Sequence, residues 1–214
     1  MNYADIKSHD IANGVGIRVS FFASGCRHAC KGCFNAEARD FNFGSDFSQD
    51  TIDAVIAYLK PEYIEWLTLL GGEPLAPENQ KDIFNLVQQV RAAYPQKSIR
   101  CYSGFTYEFI QQYMIPNLPY TQDIMKLVDV LVDGKREESL ADLNLRFRGS
   151  ANQRVIDMKR TMKYGEIIWA LGRVEEEKYR EVPLITKWDL YRDKSALEWV
   201  EKVKASLQPQ LVKA

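Results

Sequence analysis

The sequence predicts an α/β fold in which parallel strands alternate with outer helices, arranged as an open sheet or as a partial barrel. Three observations lead to this expectation. Short apolar runs rich in β-branched and aromatic residues recur, amphipathic stretches separate them, and turns with glycine or proline end most of them. Strands separated by helices pair in parallel through right-handed crossovers. Periodicity alone does not distinguish the open sheet from the partial barrel.

The predicted elements follow one another without an internal repeat. The first three are a strand at 17–23, a helix that begins after Ser48 and ends before Pro61, and a strand at 64–70. Serine is a favourable N-cap, and proline ends a helix because it lacks an N–H donor. The remaining elements are a helix at 77–94, a strand at 98–102, a helix near 107–113, a short helix after Pro119, and strands at 127–132 and 153–158.

Residues 1–158 form the predicted core domain, and residues 159–214 form a C-terminal extension to which the sequence assigns no role. The alternation of strands and helices loosens after residue 158. Within the extension, residues 166–171 predict one more strand and residues 195–207 an amphipathic helix. The acidic run at 175–177 predicts solvated surface.

Composition and charge limit the classes of function. The chain has 214 residues, and its 28 Lys and Arg nearly balance its 29 Asp and Glu. This balance predicts no broad attraction to nucleic acid or to an anionic membrane. No apolar run reaches the roughly 20 residues that span a bilayer, and the first residues lack the pattern of a signal peptide. We therefore expect a cytoplasmic protein, in which reducing conditions leave the four cysteines available for metals or catalysis.

Three of those cysteines, Cys26, Cys30 and Cys33, lie in one short loop directly after the first predicted strand. Thiolates at this C-x3-C-x2-C spacing are able to converge on one inorganic cluster. Zinc is the alternative, but structural zinc sites nearly always take four protein ligands, and only His28 or the distant Cys101 could be the fourth. Three protein ligands on a four-iron cluster leave one iron open. His28 is more simply explained as a surface or hydrogen-bonding residue, and Cys101 as a buried inert thiol.

Three further strand ends carry glycine and polar residues. Because the carboxyl ends of parallel strands meet at one edge, we expect these turns to lie beside the cysteine loop. Glycines permit close backbone approach, and a carboxylate complements a cation. Ser103, Asp133 and Lys135 are candidate site residues. For Asp133 and Lys135, the alternative is an exposed ion pair. The turns are Gly71-Gly72-Glu73-Pro74, Tyr102-Ser103-Gly104 and Asp133-Gly134-Lys135.

The cysteine loop, together with the Gly71-Gly72-Glu73-Pro74 turn, resembles the radical S-adenosylmethionine (SAM) superfamily. The resemblance implies a partial (β/α) barrel of the radical SAM type and a [4Fe-4S] cluster on Cys26, Cys30 and Cys33. It implies that the open iron chelates the methionine moiety of SAM, that the backbone around the third cysteine contacts the adenine, and that the glycine turn holds the ammonium group. The residues so assigned to SAM are Gly32, Cys33, Phe34, Gly71, Gly72 and Glu73, with Ser103, Asp133 and Lys135 as weaker candidates.

Segments 13–22, 130–135 and 148–154 resemble the activating proteins of anaerobic ribonucleoside-triphosphate reductase, over about residues 1–158. This resemblance implies that a flavodoxin-like donor reduces the cluster and that a 5′-deoxyadenosyl radical takes a hydrogen atom from a glycine of the reductase. It also implies a rim open enough to accept a peptide loop. Three alternatives stay open: an activase of another glycyl-radical enzyme such as pyruvate formate-lyase, a radical enzyme for a small molecule, and a non-catalytic metal-binding or redox-sensing adaptor.

Overall fold

A seven-stranded sheet organises residues 1–170, the part of the chain that the computed structural model describes. The strands are β1 (Asn2–Asp10), β2 (Ile17–Ala23), β3 (Ser45–Asp46), β4 (Ile64–Gly71), β5 (Ser98–Tyr102), β6 (Val130–Asp133) and β7 (Arg154–Asp157). Their spatial order is β3-β1-β2-β4-β5-β6-β7. The four central strands β2, β4, β5 and β6 pair in parallel, whereas β3, β1 and β7 pair antiparallel with their neighbours. The predicted α/β class is confirmed.

Within residues 1–170, every α-helix except the last lies between two strands of the parallel region, and the last follows β7. They are α1 (Gln49–Leu59), α2 (Pro77–Ala93), α3 (Tyr107–Phe109), α4 (Ile115–Asn117), α5 (Thr121–Leu127) and α6 (Met158–Tyr164). A π-helical stretch, Ile110–Met114, joins α3 to α4. No helix within residues 1–170 has both the length and the apolar composition needed to cross a membrane.

Helix α1 shows how local sequence sets the boundaries of an element. Ser48 has the extended backbone of an N-cap, and its N–H donates to Thr51 Oγ1 at 3.2 Å. The helix ends at Leu59, just before Pro61. Both ends agree with the predicted helix, because capping and proline act within a few residues and need no tertiary partner.

One face of the sheet packs against the helices and forms the main core. Alternate strand residues such as Phe21, Leu69 and Cys101 are fully buried there, together with Val55 of α1 and Leu86 of α2. The parallel strands β2, β4, β5 and β6 lie side by side in the same order in which they occur along the chain. Right-handed crossovers between them therefore place the connecting helices on the same face. A doubly wound sheet would instead reverse its strand order and carry helices on both faces.

The opposite face carries buried polar and charged side chains on β2, β4 and β5, beside a small apolar cluster on β6 and β7. Arg18 on β2 is fully buried and donates to Thr68 Oγ1 on β4 at 2.9 Å and to the Asn13 carbonyl at 3.0 Å. The guanidinium groups of Arg18 and Arg100 lie 5.4 and 6.0 Å from the ring of Trp66. Burial, with the nearby charge of Arg100, lowers the pKa of Arg18 to about 10. The loop residues Asn13 and Phe147 contact this face, through Arg18 and Arg100 respectively.

Three strands depart from the prediction. The strand expected at 153–158 exists as β7, but it runs antiparallel to β6, because no α-helix lies between Asp133 and Arg154 to carry the chain back to the other end of the sheet. Strand β1 was not predicted, since its exposed positions interrupt the apolar pattern with charged and polar residues. The strand expected at 127–132 begins later, at Val130, because Leu127 ends α5.

The first residues beyond the predicted domain boundary at 158 pack on the sheet. Met158, the last residue of the predicted core domain, is fully buried, and Thr161 beyond it is buried as well. The Asp157 N–H donates to the Ile168 carbonyl, and the Ala170 N–H to the Val155 carbonyl, each at 2.8 Å. A single antiparallel bridge to Ile156 at residue 169 supports the strand predicted at 166–171. Residue 171, the helix predicted at 195–207 and the acidic run at 175–177 lie outside the described residues, and the domain boundary stays a prediction.

A buried ion network joins β7 to β6 and α3. Arg154 is 8 % exposed and donates to both carboxylate oxygens of Asp133 and, at 2.9 and 2.7 Å, to both of Glu108. Burial disfavours its charge, but the two carboxylates outweigh burial and raise the pKa of Arg154 above its ordinary value. Asp133 also accepts the Tyr107 N–H at 2.8 Å. The network therefore fixes the strand end from which the 134–136 turn departs.

We expect Arg154→Leu to lower the free energy of unfolding by about 3–5 kcal/mol, because it leaves the buried Asp133 carboxylate without its cation. Urea unfolding of the cluster-free protein measures this change. Arg146→Leu is the matched control, since Arg146 is exposed and, among the described residues, its guanidinium group lies over the ring of Phe147. The free energy of unfolding of this control should fall by less than about 1 kcal/mol. Equal losses in the two variants would contradict the assignment of the network.

Candidate active site

A cavity of about 730 Å³ lies at the carboxyl ends of the parallel strands. The loop after β2 and the turns after β4, β5 and β6 all contribute to its walls, as the sequence predicted. The contributing residues from these four segments include Cys26, His28, Cys30, Cys33, Phe34, Gly71, Gly72, Glu73, Ser103, Gly104, Gly134 and Arg136. Strand pairing thus brings residues more than 100 positions apart in sequence to one site.

The backbone of the cysteine loop is held at both ends. The Gly25 and Cys26 N–H groups donate to the carbonyls of Ala38 and Arg39 at 2.8 and 3.0 Å. The guanidinium group of Arg39 donates to the Cys30 carbonyl. Together these contacts fold the segment after the cysteines back against its beginning.

Arg136, from the turn after β6, holds the second half of the loop. It donates to the Lys31 carbonyl at 2.7 Å, and its guanidinium group lies 5.4 Å from the ring of Phe34. Phe34 is otherwise 82 % exposed at the cavity. Gly32 adopts φ +65°, and a Cβ at this position would lie 2.8 Å from Arg136 Nη1, so a larger residue there would displace the arginine.

The three thiols of the loop are partly buried, unpaired with one another and directed to the same cavity. Burial, followed by the charges of Glu73 and the other two cysteines, raises the pKa of Cys26 to about 12. Burial also raises the pKa of Cys30, against the opposing effects of a hydrogen bond from the Arg136 backbone and the charge of Lys135. Without a metal these two thiols therefore stay protonated at neutral pH, and metal binding must release their protons.

The donor set fits an iron–sulfur cluster. Soft thiolates are the ligands that such clusters take, and three of them line one cavity. Within residues 1–170, no three or more His, Cys, Asp or Glu side chains are arranged to hold a metal ion. That finding concerns one ion, whereas the thiolates of a four-iron cluster each bind a different iron. Cys101 is fully buried in the core, as expected of an inert thiol, and burial raises its pKa well above the ordinary value.

The Gly71-Gly72 turn is pressed against the start of the cysteine loop. Gly71 has φ +103°, and an added Cβ would lie 2.6 Å from the Ala23 carbonyl oxygen. A Cβ on Gly72 would lie 2.7 Å from the Gly25 carbonyl oxygen. The N–H groups of Gly72 and Glu73 donate to the carbonyls of Ala23 and Gly25 at 2.7 and 2.8 Å. These glycines therefore allow two stretches of backbone to touch, in addition to any approach to a cosubstrate.

The carboxylate of Glu73 is buried and accepts three hydrogen bonds. Its Oε2 accepts from His28 Nε2 at 2.9 Å and from the Gly104 N–H at 2.7 Å, and its Oε1 accepts from the Leu75 N–H at 2.9 Å. The side chains of His28 and Glu73 are 10 % and 2 % exposed. The hydrogen-bonding role predicted for His28 is confirmed, although the residue is not at the surface.

The remaining predicted residues take different places. Ser103 lines the cavity, and its hydroxyl accepts the Phe105 N–H at 3.1 Å. Asp133 is 1 % exposed, pairs with Arg154 and is not among the residues that line the cavity. The alternative of an exposed Asp133–Lys135 ion pair is wrong, because the partner is Arg154 and the pair is buried. Lys135 is half-buried close enough to Cys30 for its charge to act on that thiol.

Sequence reasoning missed the arginines of the site. Arg39 and Arg136 hold loop carbonyls, and Arg148 lines the cavity while donating to the Gln153 carbonyl at 3.0 Å. The only signal was position, since Arg136 follows the turn after β6 and Arg148 begins a segment that resembles the activating proteins. A surface arginine and an arginine that folds back on a neighbouring loop look the same in sequence.

Comparisons with known proteins show the family of the chain. A family model described as a 4Fe-4S single cluster domain matches residues 12–156. The anaerobic ribonucleoside-triphosphate reductase-activating protein of Enterobacteria phage T4 is 40% identical over 155 residues, which cover 72% of this chain and 93% of the relative. The proteins of the same name from Vibrio cholerae and Escherichia coli K12 are 39% and 38% identical, with 96% of each covered. This chain belongs to the family of anaerobic ribonucleoside-triphosphate reductase-activating proteins.

The family match places a four-iron, four-sulfur cluster in this activating-protein domain. The matched residues 12–156 contain the cysteine loop, the glycine turn and the turns after β5 and β6. The match covers 93–96% of these relatives but 72% of this chain, so the chain is longer than they are. The site described above therefore lies in the part shared with the relatives.

We expect Gly71→Ala to lower the free energy of unfolding by about 2–5 kcal/mol, since it combines a left-handed backbone conformation with a backbone clash. Gly165→Ala is the matched control, because Gly165 also has a positive φ, +74°, but nothing lies within 4 Å of its added Cβ. The control should lose only about 1–2 kcal/mol. Denaturant unfolding of both cluster-free variants measures the difference, and equal losses would show that Gly71 is not pressed against the end of β2.

Proposed function

We propose that this chain is a radical SAM activase that generates a glycyl radical on anaerobic ribonucleoside-triphosphate reductase. The observation that carries the proposal is the placement of three thiols, the glycine turn and two further strand-end turns around one cavity. The names of the relatives favour this partner over pyruvate formate-lyase or another glycyl-radical enzyme. A non-catalytic adaptor would leave the convergence of four strand-end segments without a purpose.

In this proposal Cys26, Cys30 and Cys33 hold the [4Fe-4S] cluster, and the missing fourth protein ligand leaves one iron open for SAM. When bound, the cluster supplies one electron to the sulfonium of SAM, which breaks into methionine and a 5′-deoxyadenosyl radical that removes a hydrogen atom from a glycine α-carbon of the reductase. We propose a flavodoxin-like protein as the electron donor. No acid–base residue is needed for this step.

The chain contributes binding and orientation. We propose that the backbone of Gly32, Cys33 and Phe34 contacts the adenine, and that Gly71, Gly72 and Glu73 hold the ammonium group. Each carboxylate oxygen accepts about two hydrogen bonds. Since Oε2 of Glu73 already accepts two and Oε1 accepts one, Oε1 keeps capacity for one further donor.

The weaker candidates divide into two roles. We propose that Ser103, at the cavity wall, contacts SAM directly. Lys135 is not among the residues that line the cavity, but its charge acts on Cys30, and we propose that its side chain reaches the bound SAM from there. Asp133 acts from behind the wall, because its pairing with Arg154 fixes the strand end that carries Gly134. We therefore propose that Asp133 does not contact SAM itself but positions the turn that contains Gly134.

The cavity also has to keep water and stray hydrogen donors away from a radical. Apolar side chains supply part of its lining, among them Phe22, Leu70, Leu145 and Phe147. Helices on one face and consecutive parallel strands are the winding that a partial barrel needs. We propose that the sheet has the curvature of a radical SAM partial barrel and that its opening admits a peptide loop of the reductase.

We expect Cys30→Ala to abolish formation of 5′-deoxyadenosine after anaerobic reconstitution with iron and sulfide, followed by reductant and SAM, because it removes a cluster ligand. Chromatography of the quenched reaction measures the product. Cys101→Ala is the control, since that thiol is buried in the core and is not among the residues that line the cavity. It should retain cleavage. Unchanged cleavage by Cys30→Ala would refute the cluster assignment.

A further inference from the structure

His28 occupies the middle of the cysteine loop, two positions after Cys26 and two before Cys30. Its neighbours in the loop face outward: Ala29 is exposed, and Arg27 is 47 % exposed beside Glu78. His28 instead turns inward and is 10 % exposed. Within the segment between these two cysteines, it is therefore the side chain that enters the protein.

The imidazole of His28 contacts both neighbouring strand-end turns. Its Nε2 lies 2.9 Å from Glu73 Oε2, in the turn after β4. Its ring packs edge-on against Phe105, after β5, with 4.4 Å between the ring centroids. Phe105 is itself buried and stacks on Phe109 at 5.3 Å. One side chain thus ties the cysteine loop to two separate parts of the sheet.

The chain leaves room for this imidazole at Gly104. A Cβ on Gly104 would lie 2.3 Å from His28 Cδ2 and 2.6 Å from His28 Nε2. The backbone φ of Gly104 is not in the left-handed region, so conformation does not require glycine there. Space for His28 is the structural reason for glycine at this position.

Ala29 adds a second sign that the loop is held in place. It is one of two non-glycine residues with positive φ among residues 1–170, at +51°. Such a conformation costs about 1–3 kcal/mol and persists only when surrounding contacts enforce it. The Cys26 N–H donates to the Arg39 carbonyl, the Arg39 guanidinium group donates to the Cys30 carbonyl, and His28 supplies a contact between these two positions.

We propose that His28 is a positioning residue that directs the thiols of Cys26 and Cys30 to the cavity before any cluster is present. In this proposal, glycine at position 104 leaves the space that the His28 ring occupies. The benefit of this arrangement depends on the proposed function: a loop that is already ordered binds a cluster without first having to become ordered. The arrangement itself is a property of the protein chain alone. His28 contacts neither the substrate nor the cluster in this account.

The first test measures alkylation of individual thiols in the cluster-free, reduced protein, with iodoacetamide and peptide mass spectrometry. We expect His28→Ala to raise the alkylation rates of Cys26 and Cys30 about tenfold or more, because loss of a hydrogen bond to a charged group increases local opening. Cys101 serves as the internal reference for global unfolding. His9→Ala is the control, because His9, the other histidine, lies on β1 and bonds to Ser8 and Tyr63.

The second test uses Gly104. Gly104→Ala should raise the same two alkylation rates, because its methyl group displaces the imidazole. In the His28→Ala background the same methyl group meets no ring, so it should add nothing. His28→Gln, whose amide N–H is able to donate to Glu73, should restore slow alkylation in part. Additive effects of the two alanine substitutions would overturn the proposal.

Neither test requires iron, SAM or the reductase. The two tests therefore examine the positioning role of His28 independently of the proposed function. Unchanged alkylation rates in His28→Ala would overturn the positioning role even if the protein is an active activase. If alkylation is faster in His28→Ala but the wild-type protein cleaves no SAM under any condition, the proposed activase function is refuted and the positioning role stands. Equal acceleration of Cys101 would show global unfolding and overturn the local account.

Discussion

The carboxylate of Glu73 is the contact on which the site depends. It is buried, and its three hydrogen-bond donors come from the cysteine loop, its own turn and the turn after β5. Hydrogen bonds to a buried charged acceptor are among the stronger ones in proteins, and removal of a partner leaves that charge unsatisfied. Three chain segments are therefore fixed relative to one another by one side chain. The glycines at 71, 72 and 104 provide the space that this arrangement needs.

The two faces of the sheet divide the work of the fold. The helix face is apolar and continuous, so it supplies the main hydrophobic core. The other face carries Arg18, Thr68 and Arg100 in buried positions, and the loop residues Asn13 and Phe147 contact the two arginines. Buried charges cost free energy unless polar partners and rings compensate them, which is the role of Trp66 and the Asn13 carbonyl here. This polar face leads toward the cavity through Tyr102, whose hydroxyl donates to the Phe147 carbonyl at 2.8 Å.

The sequence was informative where local rules decide. Capping and proline defined α1, apolar runs defined β2, β4 and β5, and parallel pairing then predicted that the cysteine loop and the glycine turn would meet. It was uninformative where a residue's partner is distant. The pairing of Asp133 with Arg154 and the reach of Arg136 to the Lys31 carbonyl depend on loops that no periodicity describes. Strand β1 was missed because Asp5 and Lys7 interrupt its apolar pattern.

The most direct test of the account follows the hydrogen atom. Anaerobic ribonucleoside-triphosphate reductase labelled with α-deuterated glycine is mixed with the reconstituted protein, reductant and SAM. Mass spectrometry then examines the 5′-deoxyadenosine, and electron paramagnetic resonance examines the reductase. The account predicts deuterium in the product and a glycyl-radical signal on the reductase. Unlabelled 5′-deoxyadenosine without that signal, or a signal only when another glycyl-radical enzyme replaces the reductase, would contradict it.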